Sequence, residues 1–383
     1  MEQAAFYIFW ISLGILLYVY FGYPVLIYVL GGSKRTVNFQ TGNLPKISMI
    51  ICAYNEENII AQKIQNALSC DYPFDKFEII IVSDGSRDTT NEIVSGYSDA
   101  RMKFIANPNR GGKATALNTA FENCTGEICV LTDANVMFEP DAVKKLVRNF
   151  SDVTIGAVVG NVILKSAAGE ITGESIYSKY EKAIHAAENN WATMITVDGA
   201  MYAIRSIYAN KIPADTITDD WFLASRSLLG KKRMIYDPEA IGYEDAAASV
   251  SGEFNRKVRM IAGGFQLMIR RMGLFLNPVS YPKLSFMFIS HKLLRWVSGL
   301  FMIVLLLSNI SLLDTDISFY IWMLGIQSVF YLLALIGWVG RRSLTNFLFY
   351  VPYYFAAVNL AAILGLLKYI TGTQKAAWEK SRE

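Results

Sequence analysis

Histidine is nearly missing from this chain: His185 and His291 are the only two in 383 residues. A histidine-based triad or a histidine metal cage is therefore not the expected chemistry, and acid–base work falls to carboxylates. The four cysteines, Cys52, Cys70, Cys124 and Cys129, show no metal-ligand spacing and read as reduced thiols in a packed core. Neither a GxxxxGK(S/T) phosphate loop nor a GxGxxG fingerprint occurs, which argues against a P-loop NTPase or a dinucleotide oxidoreductase. A net charge of +3 argues neither for nor against nucleic acid, and no motif calls for a nucleic-acid partner.

Charge itself is absent from four long stretches, residues 4–32, 297–313, 317–340 and 343–367. Apolar runs of about 17–25 residues are what crossing a hydrocarbon core requires. The first is too long for a signal-peptide core and lacks a positively charged leader and a small-residue cleavage site, so a retained anchor is expected. Lys34 and Arg35 follow it, Lys292 and Arg295 precede the second stretch, and Arg341 and Arg342 follow the third. The acidic turn Asp314-Thr315-Asp316 lies between the second and third. Basic residues stay on the cytoplasmic side, which places the central domain in the cytoplasm and the N-terminus outside. Four crossings leave the tail outside, whereas Lys368, Lys375, Lys380 and Arg382 prefer the inside. A re-entrant last segment interrupted at Pro352, or a shifted boundary elsewhere, resolves the conflict, and both stay open.

Between the apolar stretches, strand and helix signals alternate. Strands are expected at residues 47–52, 77–82, 102–105 and 128–131, with helices at 59–68, 89–94, 113–122 and 141–150. Such alternation implies a parallel sheet with right-handed crossovers, whose ligands bind beyond the carboxyl ends of the strands. The segments just after those strands are polar in a patterned way: Ala53-Tyr54-Asn55-Glu56-Glu57, Ser83-Asp84-Gly85-Ser86 and Thr132-Asp133-Ala134-Asn135. A glycine-rich turn with two cations, Asn107-Pro108-Asn109-Arg110-Gly111-Gly112-Lys113, opens the third helix. Past residue 160 the alternation fades. Residues 175–190 and 254–272 read as amphipathic helices; the second carries Phe254, Val258, Ile261, Phe265 and Met268 on one face and a basic opposite face. Such a helix suits the plane of a membrane interface, with an ordinary core-facing helix as the alternative.

These segments, with Thr218-Asp219-Asp220 and Arg256-Lys257-Val258-Arg259-Met260, occur in the order seen in membrane-bound family 2 glycosyltransferases. The chain resembles that superfamily, which includes cellulose, hyaluronan and poly-N-acetylglucosamine synthases, over roughly residues 45–300. The resemblance implies an α/β fold: a GT-A type, Rossmann-like glycosyltransferase domain flanked by transmembrane helices, with amphipathic interface helices. The implied divisions are an anchor at 1–33, a cytoplasmic catalytic domain at 34–252, interface helices at 253–296, transmembrane helices at 297–370 and a polar tail at 371–383.

Roles follow from the resemblance residue by residue. Asp84, with help from Glu56, is expected to hold the base or ribose of a nucleotide-sugar donor; a helix cap before Thr89 is the plainer alternative for Asp84. Lys113 and Arg259, with Arg256 beside it, are the candidates for neutralising the diphosphate. Mg2+ or Mn2+ takes oxygen ligands and keeps several waters, and Asp133 fits as its ligand. The family's second Asp is replaced by Asn135, which offers an amide oxygen but no charge. Asp220 is the expected general base, with Asp219 adjoining; an acidic helix N-terminus is the alternative for the pair. Asp84, Asp133 and Asp220 are expected to converge around one cavity.

A second departure is Met260, where processive synthases carry a Trp under the acceptor sugar. Met gives a sugar ring no aromatic platform, and Phe254, Phe265 or Trp191 are the substitutes to consider. The expected function is inverting transfer from a nucleotide sugar, a UDP-sugar first, to a growing glycan or lipid-linked acceptor in polysaccharide synthesis. A polyprenyl-phosphate monosaccharide transferase is the alternative within the class, and a non-catalytic nucleotide-sensing membrane subunit the alternative outside it. Membrane lipids, a second copy or accessory subunits complete the expected partners.

Overall fold

The computed structural model describes residues 2–32, 44–165, 173–197, 199–245, 250–314, 318–340 and 346–376. Lys34, Arg35, Thr315, Asp316, Arg341, Arg342, Lys380 and Arg382, on which the orientation was read, lie outside them. The chain divides into two compact units: Met1–Gly32, Gly169–Trp191 and Ser249–Gln374 form a helical unit, and Ser33–Ala168, Ala192–Ala248 and Lys375–Glu383 form a sheet unit.

Among the described residues, the sheet unit has eight strands: β1 (Ile47–Ala53), β2 (Phe77–Asp84), β3 (Met102–Asn107), β4 (Ile128–Asp133), β5 (Met137–Phe138), β6 (Ile155–Lys165), β7 (Met201–Arg205) and β8 (Arg233–Asp245). Their order across the sheet is β3-β2-β1-β4-β7-β6-β8-β5. The first half is the expected parallel core. β1 pairs in parallel with β2 and β4, and β2 with β3. Every residue of β1 is buried, as a central parallel strand covered on both faces must be. The helices Ile60–Leu68, Thr90–Ser95, Lys113–Phe121 and Ala142–Arg148 follow the strands as the periodicity requires.

The second half departs from a purely parallel sheet. β7 runs antiparallel to both β4 and β6, and the short β5 is antiparallel to β8. The sheet is therefore mixed. β8 pairs with β6 in two stretches separated by a register shift, so its last residues lie alongside β5 and the segment that follows β4.

Among the described residues of the helical unit, four helices are long and apolar enough to cross a membrane: Glu2–Leu30, Pro282–Ile310, Ser318–Val339 and Phe347–Ile370. The second begins ahead of the uncharged run and takes His291, Lys292 and Arg295 into its body. The last is continuous through Pro352. The first two each contain a π-helical turn, Tyr18–Gly22 and Phe288–Leu293, and Tyr18 Oη meets Ser290 Oγ at 2.8 Å between them.

The amphipathic helices run Gly173–Trp191 and Val250–Arg270. In the second, Val258, Phe265 and Met268 are buried. The Gly365 position on Phe347–Ile370 approaches the Val258 carbonyl and Ile261. Protein covers this apolar face, so packing against the last helix accounts for its periodicity.

Candidate active site

The post-strand segments of β1, β2 and β4 meet at one edge of the sheet because the three strands are neighbours in parallel register. Cys52 pairs with Asp133, and Ala53 with Ser83, one residue before Asp84. Asp84 is buried, and its carboxylate accepts the backbone N–H of Gly111 at 3.0 Å and of Gly112 at 2.7 Å. The helix-cap alternative for Asp84 fails, since Asp88 Oδ1 accepts the Thr90 N–H instead. Asp84 thus pins the glycine turn against the sheet. Gly85 makes this possible: its φ is +67°, and a Cβ there would lie 2.6 Å from the Arg110 backbone nitrogen.

Pinning the turn starts the next helix at Lys113 and aims it inward. Lys113 Nζ lies 2.7 Å from Asp133 Oδ1 and 3.8 Å from Asp219 Oδ2. Burial opposes its charge, but Asp133, Asp219 and Asp220 together hold the ammonium well above the usual lysine range. The two aspartates of Thr218-Asp219-Asp220 open the helix Asp219–Leu229. Asp219 is buried, Asp220 Oδ1 accepts the Trp221 N–H, and the Asp220 carboxylate rests against Gly199.

Three residues of this site escaped the motifs. Tyr202 on β7 is buried beside Asp219, Asp220 and Asp133; burial first, then those carboxylates, push its phenol well above the usual range. Lys63, fully buried on the helix Ile60–Leu68, donates to Thr132 Oγ1 at 3.0 Å and to the Val136 carbonyl, bracketing Asp133-Ala134-Asn135. Burial drops its ammonium to about 7. Glu244, near the end of β8, accepts from Asn135 Nδ2 at 2.9 Å. At the end of β1, the Arg110 guanidinium stacks 4.0 Å over the Tyr54 ring. Glu56 follows in the same segment, its N–H held by Thr90 Oγ1.

The residues fit a hard divalent cation. Asp133 and Asp219 turn carboxylate oxygens toward one ammonium. Asp219 Oδ2, Thr218 Oγ1 and Tyr202 Oη are buried and make no hydrogen bond among the described residues. Oxygen donors of this kind match Mg2+ or Mn2+, which take few protein ligands. Arg256 and Arg259 belong to the helical unit. There Arg256 pairs with Glu253 at 2.9 Å. Phe265 is no acceptor platform, because it is buried between Trp296 and Tyr369.

The helical unit holds its own polar cluster, and in it the two histidines converge. His185, Glu188 and His291 offer ligand atoms within 4.8 Å of one another. Glu188 accepts from Tyr23 Oη at 2.6 Å and faces His291 Nδ1 at 2.7 Å and His185 Nδ1 at 3.2 Å. Glu181 meets His291 Nε2, Lys292 and Arg295. Lys292 and Arg295 both pair with Glu181, which makes the cluster a charged network between helices.

A mixed sheet with carboxylates at the carboxyl ends of its strands and a lysine among them is the arrangement of a GT-A fold. Residues 48–210 match the family described as glycosyl transferase family 2. It is similar to a probable glycosyltransferase, YdaM, of Bacillus subtilis, at 27% identity over 64% of this chain and 63% of that protein. A poly-beta-1,6-N-acetyl-D-glucosamine synthase of Staphylococcus epidermidis is 24% identical over 68% of this chain and 64% of its own. The matched region thus spans less than two thirds of either relative. A solved mannosyltransferase of Pyrobaculum calidifontis, in complex with GDP-Man and Mn2+, superposes with a TM-score of 0.74 at 20% identity, covering 95% of this chain and 99% of that one. That likeness shows the fold.

Proposed function

We propose that this chain is an inverting glycosyltransferase, moving a sugar from a nucleotide donor to a growing glycan or a lipid-linked acceptor at the cytoplasmic face of a membrane. The observation that carries it is the meeting of Lys113, Asp133 and Asp219, with Asp220 adjoining, at the carboxyl edge of the sheet. In this reading Asp220 takes the proton of the acceptor hydroxyl as its oxygen attacks the anomeric carbon. The bond from that carbon to the diphosphate breaks on the opposite face, and the nucleoside diphosphate leaves. Asp84 and Glu56 border the nucleoside; each Asp84 oxygen keeps a lone pair beyond its backbone hydrogen bond for a ribose hydroxyl or a base N–H. Lys113 answers the charge of the leaving diphosphate. Asp133, Asn135 and Asp219 would hold Mg2+ or Mn2+, which supplies positive charge to the leaving phosphates when bound. The phosphate role of Arg256 and Arg259 rests on their motif alone.

A UDP-sugar is the first donor to offer, and GDP-mannose, the ligand of the archaeal structure, is its rival. The test is a panel of nucleotide sugars given to purified protein with Mg2+ or Mn2+, scoring release of nucleoside diphosphate, with EDTA as the control. Asp220→Asn should abolish transfer and spare donor binding; transfer by that variant sinks the assignment of the base.

One observation favours a lipid-phosphate acceptor within the same class. Met260 is 49% exposed where a stacking ring is expected, on a helix rich in arginine and lysine. A butanol-soluble, mild-acid-labile product from labelled donor supports that acceptor, and a high-molecular-weight glycan excludes it.

A further inference from the structure

The chain carries Asn135 where the family motif it resembles ends in a second aspartate, and the replacement creates a problem that the fold answers. A carboxylate presents an oxygen whichever way it rotates. An amide presents an oxygen on one side and an N–H2 group on the other, and the N–H2 group repels a cation. Asn135 is useful beside Asp133 only if something fixes which side faces inward.

Glu244 does so. Asn135 Nδ2 donates to Glu244 Oε1 at 2.9 Å. A carboxylate only accepts, so the amide nitrogen must face Glu244 and the amide oxygen must face away. The opposite flip would set two oxygens against each other. Glu244 is itself held firmly. It lies opposite Leu164 in the β6–β8 pairing, and its neighbour Tyr243 is paired with Met137, two residues beyond Asn135. Tyr243 Oη also donates to Glu139 at 2.8 Å. The bulged, two-part pairing of β8 brings its end to the turn after β4, and no local sequence pattern would have connected the two.

We infer that Glu244 is a positioning residue for the cation site: it locks the Asn135 amide with its oxygen toward the site. The inference rests on the metal-dependent reading above. Outer partners that orient ligands typically carry 10–100-fold in metal affinity.

The experiment measures Mn2+ binding to the full-length protein in detergent, without donor, from the electron paramagnetic resonance signal of free Mn2+. Glu244→Ala should weaken binding about 10–100-fold. Glu244→Gln, whose amide oxygen still accepts from Asn135, should retain most of the affinity. The double variant Asn135→Asp with Glu244→Ala, which needs no lock, should bind within a few-fold of wild type. In turnover, Glu244→Ala should raise the Mn2+ concentration required for half-maximal rate. Wild-type affinity in Glu244→Ala, or equal loss in Glu244→Ala and Glu244→Gln, overturns the inference alone. Wild-type protein that binds no Mn2+, or binds it equally well after Asp133→Ala, overturns the metal-dependent reading and the inference with it. Circular dichroism checks that each variant is folded, and the rescue by the double variant separates positioning from misfolding.

Discussion

Asp220 lies flat against Gly199: a Cβ added there would stand 2.4 Å from its Oδ2 and 2.8 Å from its Cγ. The carboxylate assigned as general base owes its place to a missing side chain on a different segment of the sheet unit. Gly199→Ala should therefore push Asp220 off its position while leaving the aspartate itself intact. Misplacing a reacting group by about 1 Å costs on the order of 10²-fold. A loss of that size in kcat, with donor affinity unchanged by calorimetry, is the expected result; unchanged kcat would mean that Asp220 is not positioned here.

Lys113 plays the part of a resident cation among Asp133 and Asp219. Replacing it by Met leaves those carboxylates facing each other in a largely buried setting. A buried pair broken from one side costs about 3–5 kcal/mol, and less here because both partners keep some exposure. Lys113→Met should lower the thermal unfolding temperature at low metal, and millimolar Mn2+ should restore much of it. A variant that Mn2+ does not stabilise more than wild type would count against a shared cation site.

Lys63 supplies a pH dependence. Its folded-state value is held down to about 7 by burial, below the ordinary lysine value of 10.5. Between those two values the unfolded chain binds a proton that the folded one does not, so this residue's contribution to stability rises with pH across that window. Below about 7 both states are charged, and the full cost of burying the ammonium applies. The neutral amine has two N–H donors for its two acceptors, Thr132 Oγ1 and the Val136 carbonyl. The unfolding temperature of wild type relative to Lys63→Met should therefore increase from pH 6.5 to pH 9.5. A constant difference would show that Lys63 stays charged.

Glu188 is the node of the helical unit. Tyr23 and His291 reach it from two other helices, and His185 from one turn earlier on its own. Glu188→Ala strands those partners in the interior and should cost about 3 kcal/mol or more, read as a marked fall in unfolding temperature in detergent. Stability equal to wild type would mean that the three groups find other partners.

Much of this was legible in the sequence, for reasons that differ by region. The parallel half was readable because each buried strand is a short apolar run and each helix repeats at its own period. The polar segments after β1, β2 and β4 were readable because parallel strands deliver their carboxyl ends to one edge. Asp84, Lys113, Asp133, Asp219 and Asp220 share the sheet unit as their motifs required. What stayed hidden depends on long-range pairing. β7 and β8 enter the sheet out of sequence order, so Tyr202 and Glu244 had no local signal. Lys63 looks like any exposed helical lysine until the turn after β4 closes over it. His185 and His291 come together only when separate helices pack.

The π-turns in the first two long helices carry one more consequence. A π-turn adds a residue to a helix, and one residue is about 100° of rotation. The two halves of Glu2–Leu30 are thus out of phase by that angle, which lets Phe9 contact Leu305 and Tyr320 in one half while Tyr23 reaches Glu188 in the other. Deleting a single residue from Tyr18–Gly22 would straighten the screw and force those two engagements to compete, turning one helix into an either-or choice of neighbours.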